Sequence, residues 1–139
     1  MTLSLDTNAL IELINRENLA VRAAFEDAVE RGEEMVVSVL ASYEVRFGAR
    51  FSGRRGEVAA AEELLAEFPI VTFTEADADG AANVRLALER IGQRIGAMDM
   101  LIAGQAVNRG WAVVTANVHE FGRVERLQVI DWTAGPQSL

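Results

Sequence analysis

The 139-residue sequence contains no cysteine and no lysine. Without cysteine there is no disulfide framework, zinc–thiolate site or thiol nucleophile, so a metal must be held by oxygen or by the single histidine, His119. That favours hard cations. Without lysine, Schiff-base chemistry, Walker-type phosphate lysines and the lysine beside the aspartate of receiver and dehalogenase-like sites are excluded. No apolar run is long enough to span a bilayer, and the first residues lack the charged start and long apolar core of a signal peptide. A cytoplasmic protein without membrane association is expected. Positive charge is also scarce: 13 arginines face 21 acids, a formal net charge of −8. Such a balance argues against nucleic acid in general. A carboxylate cluster that binds cations would account for part of it, and the arginines are unevenly spread. Arg46, Arg50, Arg54 and Arg55 fall close together and are candidates for phosphate contacts, the other reading being salt bridges to nearby glutamates or plain solvation.

Half of the residues are hydrophobic, enough for one continuous core, and residues 1–139 are expected to form a single domain. No internal repeat, low-complexity segment or linker interrupts them. Strand-like runs occur at "LSL", at "MVVSV" from Met35, "IVTF" from Ile70, "AVVT" from Ala112 and "LQVID" from Leu127. Between them lie helical patterns: "NALIELIN", "NLAVRAAFEDAVERG", a pair from about Ala41 to Phe68 broken near "SGRRG", "ADADGAANVRLALERIG" and "AMDMLIAGQAVNRG". Gly32, Gly92 and Gly110 stand where helix C-caps are wanted. The alternation implies βαβ units and an α/β fold with a largely parallel sheet covered on both faces. The C-terminal "TAGPQSL" reads as a frayed tail.

In such a sheet, ligands bind at the carboxyl ends of the strands. Asp6 ends the first strand. In "SVLASYEV" and beyond, Leu40, Glu44, Phe47 and Phe51 recur on one helical face, so Glu44 is expected to interrupt a core-facing stripe, where an unpaired carboxylate is costly. Asp99 lies in the first turn of a helix that runs antiparallel to the strands, beside Ile102, Ala103 and Ala106. Three acids therefore converge on one edge. Singly, each has a structural explanation: Asp6 as an N-cap, Glu44 as an arginine's partner, Asp99 as a helix-dipole residue. Thr115 and Asn117, after the fourth strand, have the hydroxyl and amide to position a water, or form an ordinary capping turn. Glu120 reads as a solvated acid and His119 as an exposed loop histidine.

"LDTNAL", Glu44 within "SVLASYEV", "IGAMDMLIAGQA" and "VVTANVHEF", in this order and spacing, closely resemble the PIN domain, specifically the VapC-like ribonuclease toxins of type II toxin–antitoxin pairs. The resemblance covers nearly the whole chain. It implies an α/β/α sandwich with a five-stranded, mainly parallel sheet and a metal-dependent endoribonuclease site at Asp6, Glu44 and Asp99, with Mg²⁺ or Mn²⁺ as cofactor and Thr115, Asn117 and Asn8 in support. It further implies an RNA substrate, with tRNA suggested by "TANVHEF". A VapB-like antitoxin is the implied partner, with homodimers joining into a larger assembly that meets operator DNA only through the antitoxin. Two departures are visible. Asn117 stands where many members carry a fourth carboxylate, and Ala103, Gly104 and Gln105 replace the family's usual Ala-Ala-His. The chemistry suits the resemblance, because a few carboxylates suffice for an octahedral hard cation that activates water for in-line attack, leaving a 5′-phosphate.

Two alternatives belong to other classes. A PIN fold retained only as an antitoxin-binding module has little reason to keep three clustered acids. A phosphotransfer domain with Asp6 as acceptor lacks its lysine and has Asn8 where a second aspartate is wanted.

Overall fold

The computed structural model describes residues 1–136. Five strands, β1 (Thr2–Leu5), β2 (Glu34–Ser38), β3 (Ile70–Val71), β4 (Ala112–Val114) and β5 (Val129–Ile130), form one sheet in the order β3-β2-β1-β4-β5. Every pairing is parallel, with Leu3 opposite Met35 on one side and Ala112 on the other. The central position of β1 explains its composition: Leu3, Ser4 and Leu5 are all buried, as a strand covered on both faces requires. The edge strands β3 and β5 are two-residue elements, shorter than the apolar runs "IVTF" and "LQVID" suggest, because an edge strand pairs on only one side.

Helices α1 (Thr7–Asn15), α2 (Leu19–Glu30), α3 (Val39–Ser52), α4 (Glu57–Leu65), α5 (Glu75–Arg90), α6 (Ala97–Arg109) and α7 (Val118–Phe121) connect and cover the strands. Together they give the expected α/β/α layering. Gly32, Gly92 and Gly110 all adopt positive φ, and Gly110 forms the left-handed C-cap of α6. The expected C-terminal tail begins instead with a short 3-10 helix at Trp132–Ala134, whose Trp132 packs edge-on against Phe25. Residues 137–139 of that segment lie outside the described residues.

The face of α3 differs from expectation. Its buried side is Ala41, Ser42, Val45 and Ala49, small residues that let the helix lie close to the layer beneath. The stripe carrying Glu44 faces outward instead. Phe47 and Phe51 are 59% and 81% exposed and stack on each other with ring centroids 5.7 Å apart. An apolar pattern on both sides of a helix does not itself say which side packs.

Helices α5 and α6 are joined by a polar clamp that no single motif announces. Thr74 and Asp77 make a reciprocal capping box at the start of α5. Asp77 is fully buried and accepts from Gln105, Asn108 and Arg109 of α6. The Arg109 guanidinium holds the Asp77 carboxyl well below the usual carboxylate range. Gln105 also donates to the Thr72 carbonyl, which gives the departure from Ala-Ala-His a structural meaning. Gly104 is required by close approach: a Cβ there would lie 2.3 Å from the Ala81 Cα. The clamp fixes the helix whose first turn bears Asp99.

Candidate active site

The strand order turns back between β1 and β4, and their carboxyl ends form the crevice in which α/β sheets bind ligands. Asp6 stands there. Its N–H donates to the Val114 carbonyl across the sheet, and its side chain is buried at 2% exposure. Thr115, the residue after β4, donates its hydroxyl to Asp6 Oδ2 at 2.9 Å. Asp6 Oδ1 is buried with no hydrogen-bond partner. Although Asp6 occupies the N-cap position of α1, its side chain makes no capping hydrogen bond, so helix capping does not explain the carboxylate. Burial pushes its pKa up, the Thr115 hydrogen bond opposes the rise, and the charge of Glu44 adds to it.

Glu44 projects from α3, which follows β2 directly. Its Oε1 accepts a hydrogen bond from the Thr7 hydroxyl at 2.7 Å. Thr7 is therefore a positioning residue for Glu44, a role that its place in "DTN" does not reveal. Asn8 is exposed on the first turn of α1.

Asp99 lies in the first turn of α6, which has Gly96 at its N-cap. Burial, with the negative charges of Asp6, Glu120 and Glu44, pushes its carboxyl up to about 7. Asp99 thus feels the charge of the other three acids. Glu120, which reads as a solvated acid in the sequence, belongs with this group. Asn117 donates to Glu120 Oε2 at 2.7 Å and to Asp99 Oδ2 at 3.4 Å, while its own N–H donates to the Thr115 hydroxyl at 3.0 Å. Glu120, one turn after Asn117 on α7, thus brings a fourth carboxylate beside the other three. The available signal was its spacing: three residues after Asn117 is the same helical face.

Among the described residues, none of these carboxylates is paired with an arginine. Nor are any three His, Asp or Glu side chains already gathered at ligand distance, because each acid turns toward a local donor, Thr115, Thr7 or Asn117. The arginine cluster lies on α3 and in the turn that joins it to α4. Arg46 pairs with Glu62 at 2.9 Å and Arg54 with Glu57 at 3.4 Å, Arg50 donates to the Arg46 carbonyl, and Arg55 is exposed.

A family model for the PIN domain matches residues 3–127. The chain is 32% identical over 130 residues to the tRNA(fMet)-specific endonuclease VapC of Shigella flexneri, covering 93% of this chain and 96% of that one. The chain belongs to the VapC family of PIN-domain proteins. It is also 30% identical to ribonuclease VapC2 of Haemophilus influenzae over 92% of its own length and 96% of the relative's. Among solved structures, the VapBC2 complex of Rickettsia felis bound to a DNA fragment from its promoter superimposes with a TM-score of 0.87 at 25% identity, covering 95% of this chain and 99% of that one. DNA-bound VapBC from Salmonella typhimurium gives 0.83 at 27% identity, with 95% and 98% covered. The five-stranded parallel sheet is the PIN fold. No helix among the described residues is long and apolar enough to cross a membrane.

Proposed function

We propose that this VapC chain is an endoribonuclease toxin that hydrolyses RNA phosphodiester bonds, tRNA among them, and is neutralised by a VapB-type antitoxin. One observation carries the reading: Asp6, Glu44, Asp99 and Glu120 are clustered at the strand-order reversal without an arginine to balance them. Ribonuclease relatives at about this length and identity, and structural neighbours that are VapBC complexes, support the assignment.

The cluster suits a divalent cation. Its donors are all oxygen, as Mg²⁺ or Mn²⁺ prefers, and the unpartnered Asp6 Oδ1 is a buried acceptor without a donor. Asp6 and Asp99 would hold the ion, with Glu44 and Glu120 as direct or outer partners. When bound, such an ion supplies Lewis acidity toward a phosphoryl oxygen and acidifies water for attack. The remaining tasks fall to the protein. Thr115 keeps one Asp6 oxygen engaged and leaves the other buried without a donor. Thr7 fixes Glu44, and Asn117 ties Glu120 to Asp99. In the ion-free chain the Asp99 carboxyl is pushed up to about 7, so a cation would compete with its proton for the site. No residue needs to form a covalent intermediate.

The exposed stripe of Tyr43, Phe47 and Phe51, on the helix that bears Glu44, offers apolar surface for the antitoxin. Assembly into larger complexes, and contact with operator DNA through the antitoxin, follow the same reading, as does residence in the cytoplasm. The test is incubation of the antitoxin-free chain with unfractionated tRNA in Mg²⁺, Mn²⁺ or EDTA. Discrete fragments formed with either ion, absent in EDTA and suppressed by added antitoxin, are expected. A folded, ion-loaded chain that cuts no RNA would contradict the reading.

A further inference from the structure

Beside the acid cluster lies a second, oppositely charged feature. A shallow, open groove is bordered by Gln93 and Arg94 on one side and by Val118, His119 and Arg123 on the other. Both walls belong to segments that also carry acids of the cluster. Arg94 belongs to the segment that leads into α6, five residues before Asp99. His119 sits between Asn117 and Glu120, and α7 divides its side chains by face. His119 and Arg123 are four residues apart and share one side, whereas Glu120 turns toward Asn117 and Asp99.

The groove is held open in a defined shape. Arg123 Nη1 donates to the Arg94 carbonyl, and Arg123 Nη2 lies 2.9 Å from His119 Nε2. An arginine has no acceptor, so His119 Nε2 accepts and its ring proton is on Nδ1. These bonds leave Arg123 with its Nε–H and a second hydrogen on each terminal nitrogen unpartnered among the described residues. Arg123 has no carboxylate partner there either, in contrast to Arg46 and Arg54. Among the described residues the Arg94 guanidinium is paired with Glu89, at 3.5 Å on an open surface, a pair that a phosphate displaces readily.

We propose that this groove binds a backbone phosphate of the RNA next to the bond being cut, with Arg94 and Arg123 as its ligands and the His119 ring beside the adjoining nucleotide. The inference rests on the nuclease reading and deepens it. A polyanion approaching four carboxylates on a chain of net charge −8 needs local positive charge at the cleft to arrive and stay. Two guanidiniums supply that charge with a planar donor set matched to phosphate oxygens. An imidazole next to exposed Val118 adds flat surface for an unstacked base.

The experiment measures anisotropy of fluorescein-labelled unfractionated tRNA against salt, in an Asp99→Asn background so that cleavage does not intrude. Arg94→Ala and Arg123→Gln are compared singly and together. Each is expected to weaken binding several-fold and to lower the slope of log affinity against log salt by about one, and the pair by about two. Arg123→Lys should restore the slope. Arg31→Ala, which removes an equal charge at the amino edge of the sheet where Arg31 pairs with Asp27, should leave affinity and slope in place. Unchanged affinity and slope in the double variant would overturn the proposal, as would weakened affinity with an unchanged slope, which marks a structural role. Retention of tRNA with loss of a labelled polyglutamate peptide would assign the groove to acidic protein and also overturn it. Cleavage by the Asp99-intact parent is assayed on the same tRNA. Intact cleavage with an unchanged slope removes the groove alone, whereas no cleavage with a lowered slope removes the nuclease reading and leaves an RNA-binding groove.

Discussion

Replacing Asp99 with asparagine should stabilise the metal-free protein at neutral pH and leave its stability nearly unchanged in acid. In the folded chain the Asp99 carboxyl is pushed from 3.8 up to about 7 by burial and by Asp6, Glu120 and Glu44. The folded state therefore holds this proton more tightly than the unfolded state does. Stability falls as pH rises between about 4 and about 7, the full penalty applies above that window, and none applies below it. At 1.36 kcal/mol for each factor of ten in proton affinity, the ceiling is about 4 kcal/mol. The side chain is only half-buried, so solvent screening reduces this to about 2 kcal/mol. For a chain of this length, that corresponds to a rise in Tm of about 6 °C. Thermal unfolding in EDTA, followed by circular dichroism near pH 4 and near pH 8, tests the sign directly. Parent and variant should coincide in acid and separate at high pH, with the variant more stable. A variant less stable at neutral pH, or equally stabilised at every pH, would refute the view that Asp99 is a strained member of a mutually repelling cluster.

Three further outcomes follow from the same geometry. Because the ion competes with the Asp99 proton, Mn²⁺ affinity should rise up to about tenfold per pH unit below about 7 and level off above it, with proton release visible by calorimetry in buffers of differing ionisation enthalpy. Thr7→Val removes the 2.7 Å hydrogen bond to Glu44; the turnover rate should fall about tenfold, with a stability loss near 1 kcal/mol in urea titration. Gly104→Ala places a Cβ 2.3 Å from the Ala81 Cα, and the forced separation of α5 from α6 should cost about 3 kcal/mol, read as a lowered denaturation midpoint.

Much of the fold was legible because buried parallel strands read as continuous apolar runs, and the runs at Leu3, Met35 and Ala112 became the three central strands. The faces of α3 were less legible. Phe47 and Phe51 carry more apolar area than Ala41, Ala49 and Val45, yet the small residues pack inward. Hydrophobicity ranks residues by transfer energy, whereas close helix packing selects them by size. Glu44 consequently stands at the expected edge for a different reason: it faces Thr7 rather than interrupting the core. Glu120 looked solvated because Asp99, which faces it from α6, stands 21 residues earlier in the chain; only Asn117, at the start of its own helix, was local. The Asp77 clamp was invisible for the same reason, since its partners on α6 lie some 30 residues downstream. Arg94 and Arg123 were not singled out at all, because they stand 29 residues apart in the chain and are brought together by the fold.

The most direct measurement of the central claim is the end chemistry of tRNA fragments produced by the parent and by Asp99→Asn, Glu44→Gln and Asp6→Asn, each verified as folded. Cuts by the parent should carry 5′-phosphate and 3′-hydroxyl ends, and each substitution should reduce their rate by at least about a hundredfold. Fragments with cyclic-phosphate ends, or parent-like rates in the three variants, would contradict hydrolysis by the acid cluster.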